Sequence, residues 1–596
     1  MAAAGVGERL LGVGGPSDVI SFVSTQSRLG DTAAVADEAG SPAPPRLRAV
    51  DVETQPDEPR FLGAGRGAQV FALRAANGAT IAKKVFVGSG LARFVHQFIF
   101  GADNPYVWDR TAIEEARQRR RVLSPLVRWW LKGKLHITEI YDTTWNDTLK
   151  VNEWTMEYVD GRFARLRQPF AKEANDEIDD LVNDVMRPLQ RHLVEAGFDG
   201  AAWQAGLHNP VATSNFLRRF RRDGSAEWVW IDVESGVPAL FPANPIGLFS
   251  YYIPRAIKFG RPLFDDVDCV KLRQYLALHE PEMRPEIGDD AWHALMCDVD
   301  ALEAASAQSG WKKLGRTKRG IGARLTRGEI NADQAEFYKR YPLLWMMREF
   351  GGAVSTVLRA LAALLSAWFD PKLWLLICRE TVKLLWSDSY RTAFAKRYVT
   401  SGIDRWRDRK QLTAGERDSL VSDLGNEGSA AYLTDFGMHL ATKPLVKLVT
   451  WGGVPVLYAF GLMSALTLAI LVIGGGAIVR TGYTLIRVVD AYRNGYQRPW
   501  VALWVGTLPV IGNVAFPLQL LFDGVGNGRN LSQFIVYDTA TRVGRSLPIW
   551  GGADTLTEHR ANRSADWLFS LSKRLNLRVT QRRENLSSIT TPRRAK

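Results

Sequence analysis

The chain has 596 residues, 46% of them hydrophobic and 23% charged, and a formal net charge of +13. A composition of this kind folds, which excludes a wholly disordered or fibrous chain, and the charge calls for an anionic partner. The only cysteines, Cys269, Cys297 and Cys378, are far apart and form no Cys-x-x-Cys pair. That argues against a disulfide framework or a structural zinc site, and the three are expected to be buried small side chains in a reducing compartment.

Residues 1–58 are rich in Ala, Gly, Ser and Pro and lack the charged-then-apolar pattern of a signal peptide. They are expected to be disordered, leaving the following domain in the cytoplasm. A regular pattern starts at Arg60. The run Phe61 to Leu73 reads as strand, glycine-rich turn and strand, Asn77-Gly78 as a hairpin turn, and Thr80 to Phe86 as a third strand. A helix is expected to open at Thr111. Trp154 to Val159 reads as a buried strand running into a turn. Residues 171–196 read as one helix, with Leu181, Val185, Leu189 and Leu193 on one face. Trp228 to Asp232 is a β-rich apolar run that ends in an acid.

In order, these elements resemble the protein-kinase-like superfamily. Gly63, Gly65 and Val70 fit its glycine loop, with Ala68 at the third glycine position. Ala82 and Lys84 fit the strand whose lysine meets the phosphates, and Glu115, or else Glu114, fits the helix glutamate that pairs with that lysine. Met156, Glu157 and Val159 fit the hinge beside the adenine. His208 and Asn215 fit two positions of the catalytic loop, but Pro210 occupies the place of its catalytic Asp. Asp232 fits the metal-binding Asp, with Glu234 two residues on as a candidate third oxygen ligand or acid/base group. The resemblance therefore implies ATP and Mg²⁺ as ligands, with Asn215 and Asp232 on the metal. Because a proline cannot accept the proton of a substrate hydroxyl, it implies a pseudokinase with a regulatory or scaffolding role. An active atypical kinase acting on a protein, lipid or envelope glycan is the alternative, and a membrane scaffold that binds no nucleotide is a third reading.

Beyond the kinase-like region, assigned to residues 59–303, residues 304–446 read as helical. Thr326-x-x-Glu329 and Thr413-x-x-Glu416 look like capping boxes that open helices. Leu343 to Cys378 suits either an amphipathic hairpin on a membrane surface or a buried core. Residues 447–523 carry two uncharged stretches, 448–479 and 499–522, each long enough to cross a bilayer; the alternatives are a hairpin broken near Pro455 or the later glycines for the first and a re-entrant hairpin broken at its prolines and Asn513 for the second. Residues 524–596 form a basic tail. The expected fold class is thus an α+β bilobal protein-kinase-like domain followed by an all-α region with C-terminal transmembrane or membrane-embedded helices. The expected location is a bacterial-type inner membrane, with the kinase-like domain facing the cytoplasm. The expected partners are anionic membrane lipids and a protein at the membrane. No nucleic-acid-binding motif is present, and no nucleic acid partner is expected.

Overall fold

A computed structural model of the chain describes residues 59–87, 93–168, 177–234, 249–258, 267–441, 453–493, 529–546 and 555–574, with short interior breaks. Gly65, His208 and Pro210 fall in such breaks, and the uncharged stretch 499–522 also lies outside the described residues. The chain divides into two compact units. Of the described residues, one unit holds those within Ser27–Ala164 together with Glu177–Ala362, and the other those within Arg165–Asp176 together with Ala363–Lys596.

The first unit holds two small sheets. Strands β1 (Arg60–Ala64), β2 (Gln69–Arg74), β3 (Thr80–Val85), β5 (Ile140–Asn146) and β6 (Val151–Glu157) form an antiparallel sheet in the order β1-β2-β3-β6-β5. The β2–β3 turn is the expected one: Gly78 sits at φ +81°, and the Ala79 N–H donates to Asn77 Oδ1. Glycine suits that turn because a side chain is strained at positive φ. Strands β4 (Leu135–Ile137), β9 (Ala226–Trp230), β8 (Phe216–Phe220) and β7 (Gly161–Arg162) form the second sheet, in which β4 runs parallel to β9.

Helix α1 (Arg110–Trp130) is capped by Asp109, whose carboxylate accepts the N–H groups of Thr111 and Ala112. It presents Ile113, Ala116, Leu123 and Val127 to the core. The expected helix over 171–196 is described from Glu177 and passes through a π-turn, Leu181–Met186, before α2 (Arg187–Glu195). Its four leucine and valine positions are all buried. Helix α3 (Asp199–Ala205) follows. Helices α4 (Cys269–Ile287) and α5 (Asp289–Gln308) come after the second sheet, and the Trp130 indole donates to the Tyr275 hydroxyl of α4. Cys269 is half-buried while Cys297 and Cys378 are exposed, so the cysteines are not the core residues their type suggested.

Helices α6 (Arg316–Thr326), α7 (Ala332–Arg340) and α8 (Pro342–Trp368) follow. The Thr326 capping box is not formed. Thr326 ends α6, Gly328 turns the chain at φ +70°, and α7 opens on a capping box made by Asn331 and Gln334. The Thr413–Glu416 box does form, and opens the helix Ala414–Gly425. Thr413→Ala is therefore expected to cost about 1 kcal/mol in urea unfolding, whereas Thr326→Ala stays within about 0.5 kcal/mol of wild type.

The second unit is helical among its described residues. It contains α9 (Pro371–Trp386), α10 (Asp388–Asp408), α11 (Ala414–Gly425), α12 (Ala465–Arg493) and α13 (Arg529–Ser546). Its core joins Phe394, Val399, Ile403, Trp406, Leu420 and Phe534. The segment Arg165–Gln168 is bound into this unit. Gln411 accepts the Leu166 N–H at its side-chain oxygen and the Gln168 amide at its carbonyl, Arg165 meets Glu416, and the Arg167 carbonyl accepts from Asn562.

The architecture is mixed α/β and mostly helical, with two small sheets, and this corrects the expected domain followed by membrane-crossing helices. No helix among the described residues is long and apolar enough to cross a membrane. The uncharged run 448–479 is not one helix. A short helix, Val454–Ala459, ends at Gly461 (φ +72°), Ser464 caps a new start, and α12 carries Arg480, Arg487 and Asp490 in its second half. The apolar part of α12, Ala465 to Val479, falls short of the roughly 20 residues a span requires.

Candidate functional site

Partners across an antiparallel sheet share a face, and alternate residues along a strand return to it. Gly63 pairs with Val70, Val70 with Lys84, and Lys84 with Trp154. One step along, Ala82 pairs with Met156. Register alone therefore brings Gly63, Val70, Ala82, Lys84 and Met156 to one face of the first sheet. A Cβ at Gly63 would meet no atom within 4 Å, so packing does not require glycine there.

Lys84 is 6% exposed. Its ammonium lies 2.7 Å from Asp232 Oδ1 and 3.6 Å from Glu234 Oε2, and stands over the rings of Phe86 and Trp154. Asp232 lies two residues past Trp230, the end of β9, and its side chain is 40% exposed, so one carboxylate of the site faces outward. Glu234 is enclosed. Arg120 of α1 donates from Nε to Oε1 at 2.5 Å and from Nη2 to Oε2 at 2.7 Å. The same guanidinium donates to the Thr138 carbonyl and hydroxyl and to the Ile231 carbonyl. Burial alone would raise the Glu234 carboxyl, but Arg120, and after it Lys84, hold it below the ordinary carboxylate value.

Glu115 does not join this group. It is buried on α1, its charge is felt by Cys269 of α4, and the carboxylates that meet Lys84 are Asp232 and Glu234. The reason is helical geometry. Five residues separate Glu115 from Arg120, which at 3.6 residues per turn puts them on different faces. Burial, then Glu303 and Glu115, push the Cys269 thiol up to about 11.

Met156 is buried at the end of β6. Glu157 points to the opposite face, pairing in register with Ile81, and its carboxylate meets His136 Nε2 at 2.7 Å and Arg219 Nη1 at 2.6 Å. Burial would raise this carboxyl as well; His136 and Arg219 hold it down. Val159 is half-buried in the turn that leads to Gly161, where a Cβ would meet the Arg218 carbonyl at 3.0 Å. Asn215 is buried and donates its amide to the Gln204 carbonyl of α3 at 2.9 Å, while its own carbonyl accepts the Ile231 N–H. That bond ties Asn215 to the residue before Asp232.

Among the described residues no group of three or more His, Cys, Asp or Glu side chains could by itself hold a metal. Asp232 and the Asn215 amide are oxygen donors suited to Mg²⁺ only if a ligand supplies most of the coordination, which is how Mg²⁺ accompanies phosphates.

Sequence reasoning missed Arg120. The available signal was a charged residue within the buried stripe Ile113, Ala116, Leu123 and Val127, since a charge in such a stripe needs a buried partner. No protein-family model matches the chain, and comparison with curated proteins likewise finds no match.

Proposed function

We propose that the first unit binds a Mg-nucleotide in the manner of the protein-kinase-like superfamily, and that the chain acts as a pseudokinase with a regulatory or scaffolding role. The observation that carries this reading is the Lys84–Asp232 contact, which joins two residues 148 apart in the chain, beside the face that also holds Gly63, Val70, Ala82 and Met156. Lys84 would meet phosphate oxygens, the apolar face of β2, β3 and β6 would take the base, and Asp232 with Asn215 would hold Mg²⁺. Bound Mg²⁺ would neutralise phosphate charge.

Catalysis is a separate matter. Pro210 offers no acceptor at the aligned position. Glu234 is the nearby acid, but a general base must reach the substrate proton, and both Glu234 oxygens are engaged by Arg120. This favours the pseudokinase over the atypical kinase, and the expected result with radiolabelled ATP is no transfer and no hydrolysis. Turnover abolished by Glu234→Gln would reverse that preference.

The test of binding is thermal stabilisation of the full chain by ATP with and without Mg²⁺. At 100 times Kd the ligand adds about 2.7 kcal/mol. Both Lys84→Ala and Asp232→Ala are expected to remove the stabilisation. A wild-type chain that is folded yet unmoved by Mg-ATP would leave the scaffold that binds no nucleotide.

A further inference from the structure

Helix α8 has two unlike faces within the first unit. On its inner face, Trp345 is buried with Ile321, Ile330 and Ala335, Arg348 lies over the rings of Tyr338 and Trp345, and Glu349 pairs with Arg324. On its outer face, Leu343, Met346, Met347, Phe350, Val354 and Leu358 recur at intervals of one to four residues, which places them on one stripe. They are exposed: Leu343 by 69%, Met347 by 63%, Phe350 by 72% and Leu358 by 59%. Glu349 is turned toward Arg324, and the exposed Arg348 and Arg359 lie to the side of the stripe, so the outward stripe itself is apolar. A contiguous exposed stripe of this kind marks an interaction surface.

The surrounding charge selects the occupant. From Glu336 to Arg359 the cations are Lys339, Arg340, Arg348 and Arg359, and the acids are Glu336, which pairs with Lys339 at 3.4 Å, and Glu349, which pairs with Arg324 on the inner side, so the stretch is net basic. Phe337 and Tyr341 are 47% and 45% exposed at the amino-terminal end of the stripe, with Arg340 over the Tyr341 ring. An apolar ridge of flexible Leu, Met and Phe with aromatic and basic groups at its end suits the boundary between acyl chains and anionic headgroups. A lipid surface also accepts a projecting ridge without a matching groove.

We infer that the outer face of α8 is a docking surface for an anionic lipid membrane, on which the helix lies without crossing. The inference does not rest on the nucleotide reading. It is tested by sedimenting the full chain with phosphatidylcholine vesicles with and without phosphatidylglycerol. The chain is expected to bind the anionic vesicles, and less so as salt rises. Phe350→Glu with Leu358→Glu is expected to weaken binding at least about 10-fold. Lys339→Glu with Arg340→Glu should weaken it and flatten the salt dependence. These positions are exposed, so the thermal midpoint should not move, which separates lost docking from lost folding. Binding of neutral vesicles as tightly as anionic ones, no vesicle binding at all, or wild-type binding by the acidic variants overturns the inference. So does a wild-type dimer that the Phe350/Leu358 variant converts to monomer with no change at vesicles, because the stripe would then be a contact between copies of the chain.

Discussion

Arg120→Leu is expected to lower the stability of the first unit by about 3–5 kcal/mol, because it leaves the Glu234 carboxylate buried without its bidentate partner. The same change removes donors from the Thr138 and Ile231 carbonyls, which adds to the cost. The double variant Arg120→Leu with Glu234→Leu should recover much of the loss, since no uncompensated carboxylate remains and Lys84 keeps Asp232. Urea unfolding followed by tryptophan fluorescence measures this, as Trp154 lies against both Lys84 and Arg120. If the single variant were as stable as wild type, the guanidinium–carboxylate pair would not organise the site.

The pair also sets a pH dependence. The folded Glu234 carboxyl titrates below its ordinary value of 4.5. A depressed carboxyl contributes stability above its unfolded pKa and loses it as the pH falls through the folded one. The stability gap between wild type and Glu234→Gln should therefore be full at neutral pH, begin to narrow near the ordinary carboxylate value and close at more acid pH. A gap that widens on acidification would contradict an ionised Glu234.

In the second unit the largest expected effect is at Trp406, which is 1% exposed, donates its indole N–H to Asp538 Oδ1 at 3.0 Å and stands edge-on to Phe534. Trp406→Ala should cost about 3–5 kcal/mol by opening a cavity and stripping a donor from a buried carboxylate. Asp538 also binds Arg542, which limits the second part of that loss. Trp406→Phe keeps most of the volume but not the donor, so the difference between the variants separates packing from hydrogen bonding. Equal losses would mean that the Asp538 bond carries the effect.

The features legible in the chain before folding are local ones. Alternation and the Asn77-Gly78 turn placed β1, β2 and β3, and the four-residue spacing of Leu181, Val185, Leu189 and Leu193 placed a buried helical face, because side-chain period and backbone φ preferences are properties of neighbouring residues. The candidates Gly63, Val70, Ala82, Lys84 and Met156 came from the resemblance to the protein-kinase-like pattern, and strand register carries them to one face. Local signals misled where two outcomes share one pattern. Thr326-x-x-Glu329 reads like Thr413-x-x-Glu416, but only the second stands at a helix start, and the uncharged run 448–479 reads as one span or as a hairpin broken near Pro455 or its later glycines, whereas the break falls at Gly461 and Ser464. Only the tertiary structure decided that Lys84 meets Asp232 and Glu234 instead of Glu115, that Arg120 closes over Glu234, and that the apolar stripe of α8 faces outward. Each of these depends on groups brought together from distant parts of the chain, and on desolvation at the place where they meet, which no window of sequence contains.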